Sequence, residues 1–279
     1  MDPVLEATAT TRDGRTLAYR CVGEGEPTVV FEAGIGSSGR AWGLVQQEIG
    51  RHVRAVAYDR AGFGTSSPDP GGRSLDRMAN DLVDLLDHLG GSPAVLVGHS
   101  WGGPVVRTVA AARPDLVAGL VLVDQTDERC DLYFDPRILQ QQRRLARVLP
   151  FVARLGLLRL TLRRSARDFP PELRADLART DGSVAAVRAM SSELDALESD
   201  LEHLRDAPPA LPDIPVTWIS GTKRPRFRPA IRACLVAAHR ASAAAHPGGR
   251  HVAATRSGHY VMWSEPDLVI AEIVRLLPA

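Results

Sequence analysis

The chain lacks an excess of charge of either sign. Its 34 Lys and Arg against 33 Asp and Glu leave a formal net charge of +1. With no Lys/Arg run shaped like a phosphate-tracking arm, nucleic acid is excluded as the expected partner. Arginine greatly outnumbers lysine, and nothing functional is read from that. Cysteine is scarce: Cys21, Cys130 and Cys234 are odd in number and widely spaced. That excludes a disulfide framework and a metal-ligand spacing, and reads as reduced structural thiols. The stretch Met1-Asp2-Pro3-Val4-Leu5-Glu6 has neither the basic nor the apolar region of a secretory signal. No apolar run reaches transmembrane length without a charge. The expectation is a soluble cytoplasmic protein that takes a small-molecule substrate, without stable membrane insertion. No cofactor motif and no metal cluster is present.

Apolar residues make up 44% of the 279, enough to bury a full α/β layer structure. Residues 7–11 and 16–22 flank Asp13-Gly14 and read as a β-hairpin. Strands are expected at 28–32, 53–58, 94–97, 119–123, 214–220 and 251–254. Helices are expected at 41–49, 74–89, 104–112, 230–245 and 266–277. This alternation argues for a mainly parallel sheet covered on both faces. It is interrupted by a helical insertion with Pro136, Pro150, Pro170 and Pro171 as breaks. The expected division is an α/β core of residues 1–127 and 211–279 and a helical cap of residues 128–210.

The chain is organised around Ala94-Val95-Leu96-Val97-Gly98-His99-Ser100-Trp101-Gly102-Gly103. An apolar strand runs into Gly-x-Ser-x-Gly and then into a helix. A serine on so sharp a turn needs small neighbours, which Gly98 and Gly102 supply, and its hydroxyl stands clear at the end of the sheet. A serine hydroxyl is a poor nucleophile at neutral pH. It needs a base, a group that orients the base, and donors for the oxyanion. His259, directly after the last strand, has the context of the base, because ligands meet an open parallel sheet at its strand ends. His99 reads as support for the turn, and His239 and His246 as surface residues. The loop after residue 220, Gly221-Thr222-Lys223-Arg224-Pro225-Arg226, holds no carboxylate, and Arg224 stands where an aspartate is expected. The acid is therefore assigned to Asp124, with Asp127 in reserve; a strand-end cap is the plain alternative for Asp124. For the oxyanion the backbone N–H groups of Trp101, at a helix N-terminus, and of Ile35 are expected to serve.

The set Glu32-Ala33-Gly34-Ile35-Gly36, Tyr58-Asp59-Arg60-Ala61-Gly62-Phe63-Gly64-Thr65-Ser66, Gly98-His99-Ser100-Trp101-Gly102-Gly103 and Gly258-His259 resembles the α/β-hydrolase superfamily. The resemblance is nearest to its capped esterase, lactonase and proline-iminopeptidase-like branch. It implies an eight-stranded, mostly parallel sheet flanked by helices, with the insertion as cap. It implies a cofactor-free serine hydrolase of a small or medium ester, lactone or related acyl bond. Two departures stand out: Glu32 replaces a histidine often found before the oxyanion glycine, and the usual acid loop is empty. Serine rather than aspartate at position 100 speaks against an alkyl-enzyme mechanism. The alternatives are a non-hydrolytic receptor or lyase on the same fold, and a C–C bond hydrolase using the same triad.

The substrate pocket is expected under the cap. Tyr133, Phe134, Phe151, Leu155 and Met190 are candidate apolar contacts, and Trp42 or Trp101 stands near the mouth. Each also fits ordinary cap or core packing. The insertion is charge-segregated, with Arg137, Arg143, Arg144, Arg147, Arg154, Arg159, Arg163, Arg164 and Arg167 in its first half. Glu172, Asp176, Glu193, Asp195, Glu198, Asp200, Glu202 and Asp206 occupy the second. The plain reading is that the two sets face each other or face water; the sharper one is a basic lid that attracts an acidic substrate or a membrane surface.

Overall fold

A computed structural model describes residues 4–167, 169–224 and 229–278, with backbone only for 142–146 and 150. Eight strands form one sheet: β1 (Leu5–Thr10), β2 (Thr16–Val22), β3 (Val29–Glu32), β4 (Ala55–Tyr58), β5 (Ala94–His99), β6 (Val117–Val123), β7 (Val216–Gly221) and β8 (Gly249–Ala254). Their spatial order is β1-β2-β4-β3-β5-β6-β7-β8. β1 and β2 are antiparallel to their neighbours, and β4 through β8 run parallel.

The central strands are apolar on both faces because both are covered. Val29, Phe31, Val95, Val97, Val121 and Val123 point into one core with Trp42, Val45 and Ile273. Val30, Leu96, Leu120 and Leu122 point into the other with Met78, Leu82, Val105 and Val109. Helices α1 (Gly43–Ile49) and α10 (Pro266–Val274) cover the first face; α2 (Leu75–His88), α3 (Gly102–Ala112) and α8 (Pro229–Ala245) cover the second. Ser74 caps α2 by accepting from the Arg77 amide. A short α9 (Val261–Ser264), absent from the sequence reading, separates His259 from α10.

The insertion supplies α4 (Pro136–Arg154), α5 (Leu157–Ser165), α6 (Pro171–Asp181) and α7 (Val184–Asp206). Pro136 and Pro171 open helices, where a missing N–H costs nothing. Pro150 does not break α4, contrary to expectation. A proline inside a helix removes a single N–H, and the helix continues through it to Arg154.

The acidic half of the insertion docks on the core. Asp176 binds Arg40 at 2.7 Å, Asp181 accepts from the Ser38 amide at 3.1 Å, and Asp200 accepts from the Leu75 amide at 2.8 Å. Leu197, Leu201 and Leu204 of α7 complete the core on the α2 side. No described helix is long and apolar enough to cross a membrane.

Candidate active site

β5 ends at His99 and α3 begins at Gly102, so Ser100 and Trp101 make the turn between them. Ser100 has φ +52°, a left-handed value that costs a non-glycine residue on the order of 1–3 kcal/mol. The turn is tight on either side of it. A side chain at Gly98 would lie 2.5 Å from the Gly102 carbonyl oxygen, and one at Gly102 would lie 2.6 Å from that of Ala33. The Ser100 amide donates to the Val123 carbonyl at 3.2 Å, and its carbonyl accepts from the Thr126 amide at 2.9 Å. The turn is thereby tied to the end of β6.

Asp124 follows β6 directly, is fully buried, and also has positive φ, +44°. Its Oδ2 lies 2.7 Å from Nδ1 of His259. Its Oδ1 accepts from the Gly221 amide at 2.9 Å and from the Arg232 guanidinium at 2.5 Å. An ionised carboxylate only accepts, so the proton sits on Nδ1 and leaves Nε2 bare in the neutral ring. Burial alone would raise the Asp124 pKa. The hydrogen bond and charge of His259, with the Arg232 cation, outweigh it and hold the carboxyl at about 2. Asp127, the reserve, accepts instead from Ser242, Gln125 and the Arg129 amide. Arg224 is exposed, and Pro225 and Arg226 of the same loop lie outside the described residues.

His99 packs its ring 4.6 Å from that of His259, and its Nε2 lies 3.0 Å from the His259 carbonyl oxygen. Because a carbonyl only accepts, His99 carries its proton on Nε2. Burial, then the charge of His259, push its pKa down to about 3. His99 is thus a neutral support for the His259 backbone. His239, expected on the surface, is fully buried; it bonds the Ser220 hydroxyl at 2.7 Å and the Gln125 carbonyl at 2.8 Å. One face of α8 is core, which the helical pattern alone did not reveal.

The loop after β3 runs beside the serine: a side chain at Gly34 would fall 2.9 Å from Ser100 Cβ. Arg60 holds this loop, donating to the carbonyls of Ala33 at 2.5 Å and Gly34 at 2.7 Å and to Glu32 at 2.6 Å. Glu32 also accepts from the Tyr58 hydroxyl. From α7, Glu193 accepts from the Gly36 amide at 3.0 Å, from Arg60 at 2.8 Å and from Arg73 at 3.1 Å. Among the described residues the amides of Ile35 and Trp101 have no hydrogen-bond partner.

The apolar candidates divide. Met190 lies against Gly36 of the loop, its sulfur occupying the space of a side chain there. Tyr133 is half-buried; burial first, then the charges of Cys130 and Asp124, hold its hydroxyl above the ordinary value. Trp42 is not at a mouth: it is fully buried, 5.1 Å from Phe31 and edge-on to His99 at 6.3 Å. Trp101 is likewise core. Phe134 sits beneath Arg205 at 4.2 Å and lines an outer groove of the cap. Phe151 and Leu155 face solvent, 62% and 58% exposed. The helical period identifies a face but not which way it turns.

The sequence reading missed three residues: Arg60, Glu193 and Arg232. Arg60 follows β4 among other polar residues, Glu193 is one acid among many in the insertion, and Arg232 has no local signal. Cys130 and Cys234, far apart in sequence, meet in a small cluster as free thiols. Among the described residues, no three His, Cys, Asp or Glu side chains gather as a metal-ligand set.

Comparison with known proteins agrees with this architecture. The protein named carbamate hydrolase RutD in Pseudomonas savastanoi pv. phaseolicola is 36% identical over 107 residues, 38% of this chain and 41% of that protein. Epoxide hydrolase 4 of Mus musculus is 32% identical over 114 residues, 40% of this chain and 32% of that protein. The chain thus spans less than half the length of these relatives. An esterase from Thermogutta terrifontis superposes with a TM-score of 0.72 over 98% of this chain and 97% of its own, at 24% identity. The enol-lactonase from Burkholderia xenovorans LB400 gives 0.71 over 97% and 99%, at 21% identity. At such identities these two show the fold. The model of the alpha/beta hydrolase family matches residues 29–272, which hold six of the eight strands and the helical insertion, and the chain belongs to that family.

Proposed function

We propose that the chain is a serine hydrolase that cleaves a small or medium carboxylic ester or lactone through an acyl-enzyme on Ser100. The supporting observation is the 2.7 Å contact between His259 Nδ1 and the buried Asp124 carboxylate, at the strand end tied to the Ser100 turn. In this reading the bare Nε2 of His259 takes the hydroxyl proton as Ser100 Oγ attacks the carbonyl carbon. Asp124 holds the ring in the competent tautomer and stabilises the imidazolium without itself taking the proton. The Ile35 and Trp101 amides receive the oxyanion; losing one such donor typically costs about 10²–10³ in rate. His259 then returns the proton to the leaving oxygen, and water repeats the sequence to release the acid.

The name of one relative refers to epoxides. Opening an epoxide through an alkyl-enzyme ester calls for a carboxylate nucleophile, and position 100 carries a hydroxyl. That chemistry favours acyl transfer here. Hydrolysis of p-nitrophenyl esters of graded acyl length and of a lactone series, by the wild type and Ser100→Ala, tests the proposal. The expected result is turnover by the wild type that falls to the uncatalysed rate in the variant. Turnover that survives the substitution overturns it.

A further inference from the structure

Eight large apolar side chains are strongly exposed among the described residues, and five of them lie in one short stretch: Val148, Phe151, Leu155, Leu157 and Leu160. Positions 148 and 151 of α4 and its C-cap Leu155 share a face. Gly156, at φ +71°, turns the chain left-handedly into α5, where Leu157 and Leu160 continue the surface. Leu158 and Leu162 of α5 are half-buried toward the cap, so the outward leucines are not a spill-over of its core.

The same corner is basic. Residues 136–167 contain nine arginines and no aspartate or glutamate. Arg147, Arg154, Arg159 and Arg163 stand exposed around the apolar side chains, with no ion pair among the described residues. Among the described residues, two acids come near. Glu172 and Asp176 share an open cleft with Arg159 and Arg163, but Asp176 is already held by Arg40 at 2.7 Å and by Arg179. Asp181 and Asp200 are held by the Ser38 and Leu75 amides of the core.

The pattern discriminates between occupants. A free small anion would use the arginines and leave five apolar side chains in water. A second copy presenting the same corner would bring arginine against arginine. An anionic bilayer uses both features: apolar side chains enter the headgroup boundary while arginines meet lipid phosphates. We infer that the α4–α5 corner is a docking surface for an anionic phospholipid bilayer, bound at the interface and without insertion of a spanning helix. This holds whatever chemistry occurs at Ser100.

Co-sedimentation of the full chain with extruded vesicles tests the inference. The vesicles are phosphatidylcholine alone, or phosphatidylcholine with about 30% phosphatidylglycerol. The expected result is at least about tenfold tighter association with the anionic vesicles at low salt, weakening steeply as salt screens the headgroups. Arg159→Glu/Arg163→Glu and, separately, Leu157→Ser/Leu160→Ser are each expected to weaken it about tenfold or more. Both should retain the wild-type melting temperature, since all four side chains are exposed. Equal association with both vesicles, or unchanged binding by either variant, overturns the inference. So does concentration-dependent self-association in light scattering that Leu157→Ser/Leu160→Ser abolishes, which would assign the corner to a second copy.

Discussion

The Glu193 carboxylate of the cap lies 3.0 Å from the Gly36 amide of the loop that passes Ser100. The same carboxylate holds Arg60 and Arg73, and all three side chains are almost fully buried. Arg60 in turn holds the carbonyls of Ala33 and Gly34. Cap and loop are therefore one mechanical unit, and the shape of the loop depends on a residue more than 150 positions away in sequence.

Glu193→Ala leaves Arg60 and Arg73 buried beside a missing carboxylate. Breaking a buried pair on one side costs about 3–5 kcal/mol. Urea denaturation is expected to show a loss of that order. Activity should fall further than stability alone explains, because the Gly36 amide loses its acceptor. A loss below about 1 kcal/mol, within the range of an exposed pair, would show that the network does not hold the cap.

Asp124→Asn keeps the shape of the side chain but removes the charge that fixes the His259 tautomer. A fall in kcat of about 10³–10⁴ is expected. Asp127→Asn, beside Ser242 rather than His259, is expected to keep kcat within about threefold of wild type, the range of a residue outside the reacting group. The reverse ranking would exchange the two aspartates.

Arg232→Leu removes the cation that shares Asp124 with His259. That cation opposes the second positive charge formed on the imidazole. Without it, the acidic limb of the kcat/KM profile is expected to move to higher pH. Fluorescence or calorimetric melting run in parallel separates this from a loss of folding. A profile that keeps its position while its height falls would reduce Arg232 to a structural contact.

Burial holds the Asp181 carboxyl up, at about 7 against an ordinary 3.8. Between those values the unfolded chain gives up a proton that the folded chain keeps. Asp181 therefore lowers stability as pH rises through that window. Asp181→Asn retains an acceptor for the Ser38 amide and carries no charge. Its advantage in unfolding free energy is expected to grow from about pH 4, level off above about pH 7, and reach at most about 4 kcal/mol. An advantage that grows toward acid would contradict the burial of this carboxyl.

Much of the frame was legible because it is written locally. The Ser100 turn needs an apolar strand, close-approach glycines and a helix in sequence, and all three can be read there. His259 stands out by its place after the last strand. Asp124 was reached through the absence of an acid near Arg224. What was not legible depends on tertiary direction. Trp42 is an aromatic on an amphipathic segment whichever way it faces, and it faces the core. Phe151 follows the same period and faces water. His239 sits on a helix with one buried face. Glu193 and Arg232 act across the fold, and neither has a neighbour in sequence that marks it. Pro150 shows that a breaker residue can be absorbed inside a helix.

The most direct measurement is tryptic mass spectrometry after treatment with a fluorophosphonate, which phosphonylates an activated serine. The expected adduct is on the peptide containing Ser100, formed faster in the wild type than in His259→Ala and missing from Ser100→Ala. An unlabelled wild type, or an adduct that persists in Ser100→Ala, would contradict a nucleophilic serine at this turn.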